Sequence, residues 1–350
     1  MRLVQFDRTG RDAGRAVGVV EGDVVRCVTS VDGACHSVLA MFDIAVAEGV
    51  SLNAKLLELL QQDGVEESGY DELLAGTWDG EVAQLLPPVD HPDPRGLLVS
   101  GTGLTHTGGM QSRDAMHNDS GTESEEPQTD SARMFAMGIA GGKPQDGERG
   151  AMPEWFYKGN GTTVRGPGGT IDLPAFGRDG GEEPELAGCY VIDAAGVPRR
   201  LGFTLGIEWS DHETEKINYL YLAPSKLRTC AIGPELITDL EFRDVGLECE
   251  VTRDGEVLYA SGLLKSGEDY MCHSLANCED HHFKYPQHRV PGDVHVHFFG
   301  TSKLSFSTRT WKYRSGDVVT LSAPGVSAAL SVTVADAAPE ASTPVRVEPA

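Results

Sequence analysis

From residue 151 onward the chain is written as short runs of β-forming residues, at 162–164, 190–192, 257–259, 294–299, 303–306 and 318–321, broken by Gly, Pro and Asp. Few stretches in this part carry the apolar period of a long amphipathic helix, so strands are expected to build the core. The first ninety residues read differently. Two β-rich runs flank a turn at Gly22-Asp23, and 37–48 and 51–62 have helical spacing, with Ala54, Leu57 and Leu60 alternating with Leu56 and Leu59 as inward positions. A Pro-rich crossing at 86–94 separates the two parts. The fold class expected is therefore α+β and rich in β, with a small α/β domain at 1–90, a β-rich domain at 91–336 and a disordered tail at 337–350. Residues 118–131 are polar and acidic without period, which reads as a solvated insertion.

Composition narrows the functions open to such a chain. With 53 acidic against 29 basic residues the formal charge is −24, so a phosphate backbone would be repelled and no nucleic-acid partner is expected. An excess this large suits a high-salt cytosol, where screening removes most self-repulsion. The start, Met1 to Phe6, reads as a strand and not as a signal peptide, and no apolar run is long enough to span a bilayer, so a cytoplasmic protein is expected. Seven cysteines without close pairing argue against a disulfide framework.

Against that background one acidic segment stands out, Gly181-Glu182-Glu183-Pro184-Glu185-Leu186, followed by Gly202 to Glu208 on what reads as the next strand. On an extended segment Glu183 and Glu185 point to one face. With Glu208 they form a set of three carboxylates and no His or Cys, which suits a hard divalent cation, Mg²⁺ or Mn²⁺. A cation with so few protein ligands keeps positions open for substrate, so an enzyme is expected. Extended backbone at 154–158 would likewise place Glu154, Phe156 and Lys158 on one face. Cys272, Cys278, His281 and His282 lack zinc-site spacing. His295 and His297 share a strand face and read as a packed, hydrogen-bonded pair.

These segments resemble the fumarylacetoacetate hydrolase superfamily. The matching positions are Pro153, Phe156 and Lys158; Gly168, Ile171 and Pro174; Glu183, Glu185 and Leu186; Glu208 and Ser210; Lys226; Gly233 and Pro234; Pro291, Gly292 and Asp293; and Gly300 and Thr301. They follow the family's order over roughly residues 98–310. One departure is Ile207-Glu208, where the family has Asn-Asp. Within the superfamily, the stretches 180–185, 218–226, 274–285 and 291–301 resemble the 2-keto-3-deoxy-pentonate (arabonate-type) dehydratases.

The resemblance implies a mixed β-roll after a small N-terminal domain, a homo-oligomer, and a lyase of pentose catabolism acting on a small 2-oxo acid. In such a reaction Mg²⁺ is chelated by the 2-keto-3-deoxy acid and stabilises the enolate formed as the C3 proton leaves; loss of the C4 hydroxyl then gives 2,5-dioxopentanoate. Lysines must offset the acidic site, which points to Lys158 as a substrate contact and to Lys226 as the group that binds the enolate oxygen or moves the proton. Glu154 is the second acid/base candidate. His106 or His117 falls where superfamily hydrolases carry a water-activating His, and Arg113 is placed to pair with a substrate carboxylate. Thr301 follows a glycine that permits close approach and offers a hydroxyl. The competing expectations are an acylpyruvate or fumarylpyruvate type hydrolase on the same metal site, and a non-catalytic carbohydrate-binding or structural protein.

Overall fold

The computed structural model describes residues 1–8, 14–76, 84–111, 129–338 and 343–350. Arg113, His117 and most of the acidic insertion expected at 118–131 lie outside the described residues. Two sheets dominate, with few helices, as the β-rich reading expects.

The larger sheet has twelve strands. Its main path runs Glu66–Gly69, Val24–Cys27, Gly14–Glu21, Arg2–Arg8, Cys230–Ile237, Pro198–Trp209, Glu182–Ile192, Val294–Phe298, Leu97–Gly103 and Glu154–Asn160. Most neighbours are antiparallel, but Val294–Phe298 and Leu97–Gly103 run parallel, so the sheet is mixed. The N-terminal strand pairs with Cys230–Ile237 through Leu3 and Leu236. The sheet therefore runs without a break across the division expected near residue 90. The smaller sheet orders Glu256–Ser266, Val245–Arg253, Val318–Ser322, Leu330–Asp336 and Thr170–Leu173.

Two apolar clusters hold these layers together. One packs Met41, Phe42, Leu56 and Leu59 of two helices onto Leu3, Val17, Ala187 and Cys189 of the large sheet. The other lies between the sheets and joins Leu186, Phe203, Leu205, Ile207 and Trp209 to Ile171, Val251, Val319, Leu321 and Val332. The strand Glu182–Ile192 is buried along its whole length because both of its faces are covered.

The two helices, Val38–Glu48 and Leu52–Leu60, start where Ser37 and Ser51 accept from the amides of Ala40 and Ala54. The first ends at Gly49, whose φ of 73° needs no Cβ. Leu57, expected inward, is instead 53% exposed, because Leu56, Leu59 and Leu60 already fill the face against the sheet. Two more helices, Asp130–Gly141 and Leu275–Phe283, fall in segments where the sequence reading assigns no helix. The run at 303–306, expected as a strand, carries the short 3-10 turn Ser305–Ser307. Residues 343–350 are exposed and without regular structure, and no helix of the described residues is long and apolar enough to cross a membrane.

Candidate active site

Two adjacent antiparallel strands build the site. Their register sets Glu183 directly opposite Glu208, with Glu185 two residues along on the same face. Like charges facing each other across a ladder are destabilising, so nothing in strand pairing favours this arrangement. Ligand oxygens of Glu183, Glu185 and Glu208 lie within 4.8 Å of one another, and all three side chains are buried. Among the described residues no other group of His, Cys, Asp or Glu converges in this way.

Lysines offset part of the charge. Lys226 Nζ lies 2.5 Å from Glu183 Oε1 and 2.7 Å from Glu208 Oε2, and 4.7 Å above the Phe156 ring. Lys158 Nζ lies 2.5 Å from Glu208 Oε1 and also donates to the carbonyls of Trp209 and Lys226. Those three partners use all of its protons. Lys158, expected to meet substrate, thus clamps Glu208 and the Lys226 backbone from behind. Ser210 completes the setting of Glu208, donating to its Oε2 at 2.8 Å.

Glu185 is treated differently. Its Oε2 accepts from the Gly300 amide at 2.7 Å, while Oε1 is buried with no hydrogen-bond partner. Burial, then the charges of Glu183 and Glu208, push its carboxyl well above the ordinary carboxylate value. An orphaned oxygen among converging carboxylates fits a divalent oxygen-loving cation, so the residues present suit Mg²⁺ or Mn²⁺.

A small cavity opens beside the carboxylates, lined by Gly103, Leu104, Gly109, Glu183, His212, Gly300, Thr301 and Leu304. A Cβ at Gly103 would lie 1.9 Å from Glu154 Oε1, so any larger residue there would displace that carboxylate. Glu154 therefore reaches the cavity wall, and its Oε2 accepts from the Tyr219 hydroxyl at 2.6 Å. Glu154, Phe156 and Lys158 are all buried on one face of their strand, as its extended form requires. Thr301 lines the cavity and its hydroxyl donates to the Lys303 carbonyl at 3.0 Å. His106 is buried but is not among the lining residues. Thr105 Oγ1 donates to the Phe299 carbonyl, so His106 Nδ1 must donate to Thr105; burial holds the ring down at about 4, neutral near pH 7.

No family model and no curated protein matches the sequence. Solved structures do match. A 2-keto-3-deoxy-D-arabinonate dehydratase complexed with magnesium and 2,5-dioxopentanoate superposes with a TM-score of 0.66 at 17% identity, over 96% of this chain and 99% of that one. Maleylpyruvate hydrolase from Sphingobium sp. SYK-6 gives 0.56 at 15%, over 96% and 100%. The 5-carboxymethyl-2-hydroxymuconate delta-isomerase from Mycobacterium smegmatis gives 0.54 at 17%, over 96% and 100%. The chain has the fold of these enzymes. The fold therefore agrees with the one that the motif-level resemblance to the fumarylacetoacetate hydrolase superfamily implies.

Within this fumarylacetoacetate hydrolase fold, two residues of the site had no role assigned from the sequence. His212 Nε2 lies 2.9 Å from Glu183 Oε1, and Tyr219 holds Glu154. Both lie within the span of the resemblance, His212 two residues past Ser210 and Tyr219 inside 218–226, yet sequence reading assigns neither a role. His212 sits in the turn after Glu208, and Tyr219 in a 3-10 turn capped by the Asn218 side chain. The expected pair His295 and His297 belongs to a separate cluster: His295 Nδ1 lies 2.9 Å from His282 Nε2, and His297 is held by Ser100 and Thr102.

Proposed function

We propose that this chain is a divalent-metal-dependent dehydratase of 2-keto-3-deoxy sugar acids, turning a pentonate of the arabonate or xylonate type into 2,5-dioxopentanoate. The observation that carries the reading is Glu185 Oε1, a buried carboxylate oxygen without a protein donor beside two further carboxylates and a cavity. Held by Glu183, Glu185 and Glu208, Mg²⁺ or Mn²⁺ would act as a Lewis acid toward the carboxylate and keto oxygens of the substrate. Three carboxylates against two lysines leave the bare site negative, so a divalent ion would make it net positive, as an anionic substrate needs.

The remaining chemistry falls to the side chains. Lys226, held as an ammonium between two carboxylates, is placed to balance negative charge growing on the C2 oxygen. Glu154 takes the C3 proton, and the C–H electron pair moves toward C2. The C4 hydroxyl then leaves with a proton returned by Glu154, as water. A C3=C4 double bond remains; a proton leaves C5 and one adds to C3, and the resulting C4=C5 enol loses its hydroxyl proton and gains one at C4 to give the C5 aldehyde. Thr301, beside Gly300, contacts the substrate carboxylate.

The test is an assay of the purified protein on 2-keto-3-deoxy-arabonate and 2-keto-3-deoxy-xylonate, with and without EDTA. The expected result is 2,5-dioxopentanoate formed only with metal, abolished by Glu183→Gln, and lost in Lys226→Met through turnover more than through metal binding. Full turnover in EDTA would remove the reading. Pyruvate released from an acylpyruvate, with no dehydration, would replace it by the hydrolase reading.

A further inference from the structure

The turn that follows the Glu208 strand holds a residue with no assigned role, His212. It is 1% exposed and lines the cavity, and its Nε2 lies 2.9 Å from Glu183 Oε1. A carboxylate oxygen already receiving Lys226 Nζ only accepts, so Nε2 carries the proton and donates. Nδ1 has no partner and is buried, which suits a lone pair better than an N–H.

The ring is fixed from three sides. Its turn is anchored by Asp211, fully buried, which accepts from Arg228, from the Arg178 amide and from Thr214. Phe306 packs against the ring at 5.1 Å between centroids. Gly181 closes the third side, because a Cβ there would lie 2.1 Å from Nδ1. Lys226 and His212 both donate to Glu183 Oε1, so together they hold the carboxylate in one rotation.

We infer that His212 is the positioning residue of the metal site: its Nε2 proton fixes the rotation of the Glu183 carboxylate and so sets the affinity for the divalent ion. The inference rests on the metal-site reading of Glu183, Glu185 and Glu208. It assigns His212 no contact with the reacting atoms and no proton transfer. It also explains why the segment before Glu182 carries glycine, since any side chain at 181 would push the ring off Glu183.

The experiment is a titration of the full chain with MnCl₂ by calorimetry, comparing wild type with His212→Phe, His212→Gln and Gly181→Ala, with thermal melts in EDTA alongside. Loss of an outer partner of a metal ligand weakens binding on the order of tenfold to a hundredfold. His212→Phe is expected to show that loss while its melt in EDTA stays near wild type. His212→Gln, which can return an N–H near the Nε2 position, is expected to recover most of the affinity. Gly181→Ala is expected to weaken Mn²⁺ binding in wild type and to add nothing in the His212→Phe background. Wild-type affinity in His212→Phe would overturn the inference alone. Equal loss in Phe and Gln variants would overturn the donor role in favour of packing. No Mn²⁺ binding by wild type would sink the metal-site reading, and this inference with it.

Discussion

At the scale of single residues, the site is a contest between charge and burial. Glu183 and Glu208 each have a lysine within 2.7 Å, whereas Glu185 has one backbone amide and one bare oxygen. A buried carboxylate so placed opposes folding near neutral pH. Glu185→Gln is therefore expected to raise the melting temperature of the EDTA-treated protein, by on the order of a few degrees. In wild type, Mg²⁺ would raise that temperature further through binding to the folded state; in Glu185→Gln it would not. Scanning calorimetry with and without Mg²⁺ reads both effects, and an unchanged or lower melt for the metal-free variant contradicts this account. Lys158 shows the opposite condition. The sequence placed it on the right face of its strand, but only the structure reveals three acceptors closing around its Nζ.

At the scale of elements, one strand separates two buried polar groups. Glu154, Phe156 and Lys158 face the carboxylates, while Trp155 turns the other way and stacks on His282 and His288. The Trp155 indole donates to His282 Nδ1, so His282 Nε2 donates in turn to His295 Nδ1. Burial, then neighbouring histidines, hold His295 and His297 down at about 3 and His282 well below its ordinary value. A histidine depressed in the folded state binds its proton more readily unfolded, so its stabilising contribution is complete above about pH 6.5. That contribution falls as pH drops from there toward 3. Each such histidine adds a slope of about 1.4 kcal/mol per pH unit in that window. Melts recorded from pH 8 to 5 should fall below about pH 6.5, and fall less steeply in His297→Gln. An identical slope in the variant would show that His297 plays no part in acid sensitivity. The alternation of faces in this strand was legible in the sequence; that helix Leu275–Phe283 would close a histidine cluster over Trp155 was not, because that packing joins segments more than a hundred residues apart.

At the scale of the whole molecule, charge dominates. The chain carries −24 and only nine lysines, of which Lys158 and Lys226 are wholly buried in the site. Repulsion spread over such a surface weakens as the Debye length shrinks from about 10 Å at 0.1 M salt to about 3 Å at 1 M. The unfolding midpoint in denaturing heat should therefore climb as KCl rises, most steeply below about 1 M. A flat or falling midpoint would remove the high-salt reading. The ion pairs inside the site should be nearly indifferent to the same salt, being shielded from solvent.

The sequence alone determined the period-two pattern of the carboxylate strand, and with it the shared face of Glu183 and Glu185, because alternation is a local property of extended backbone. It also set the helix starts at Ser37 and Ser51, since a cap acts across three residues. The motif order carried the resemblance on which the fold was expected. Tertiary structure decided the rest: the register that sets Glu183 against Glu208, the continuity of the N-terminal strand with the large sheet, and the enclosure of Lys158. It alone brought His212 and Tyr219 to the carboxylates. Those contacts depend on where distant segments meet, and no spacing along a chain specifies the angle at which a turn presents its side chain.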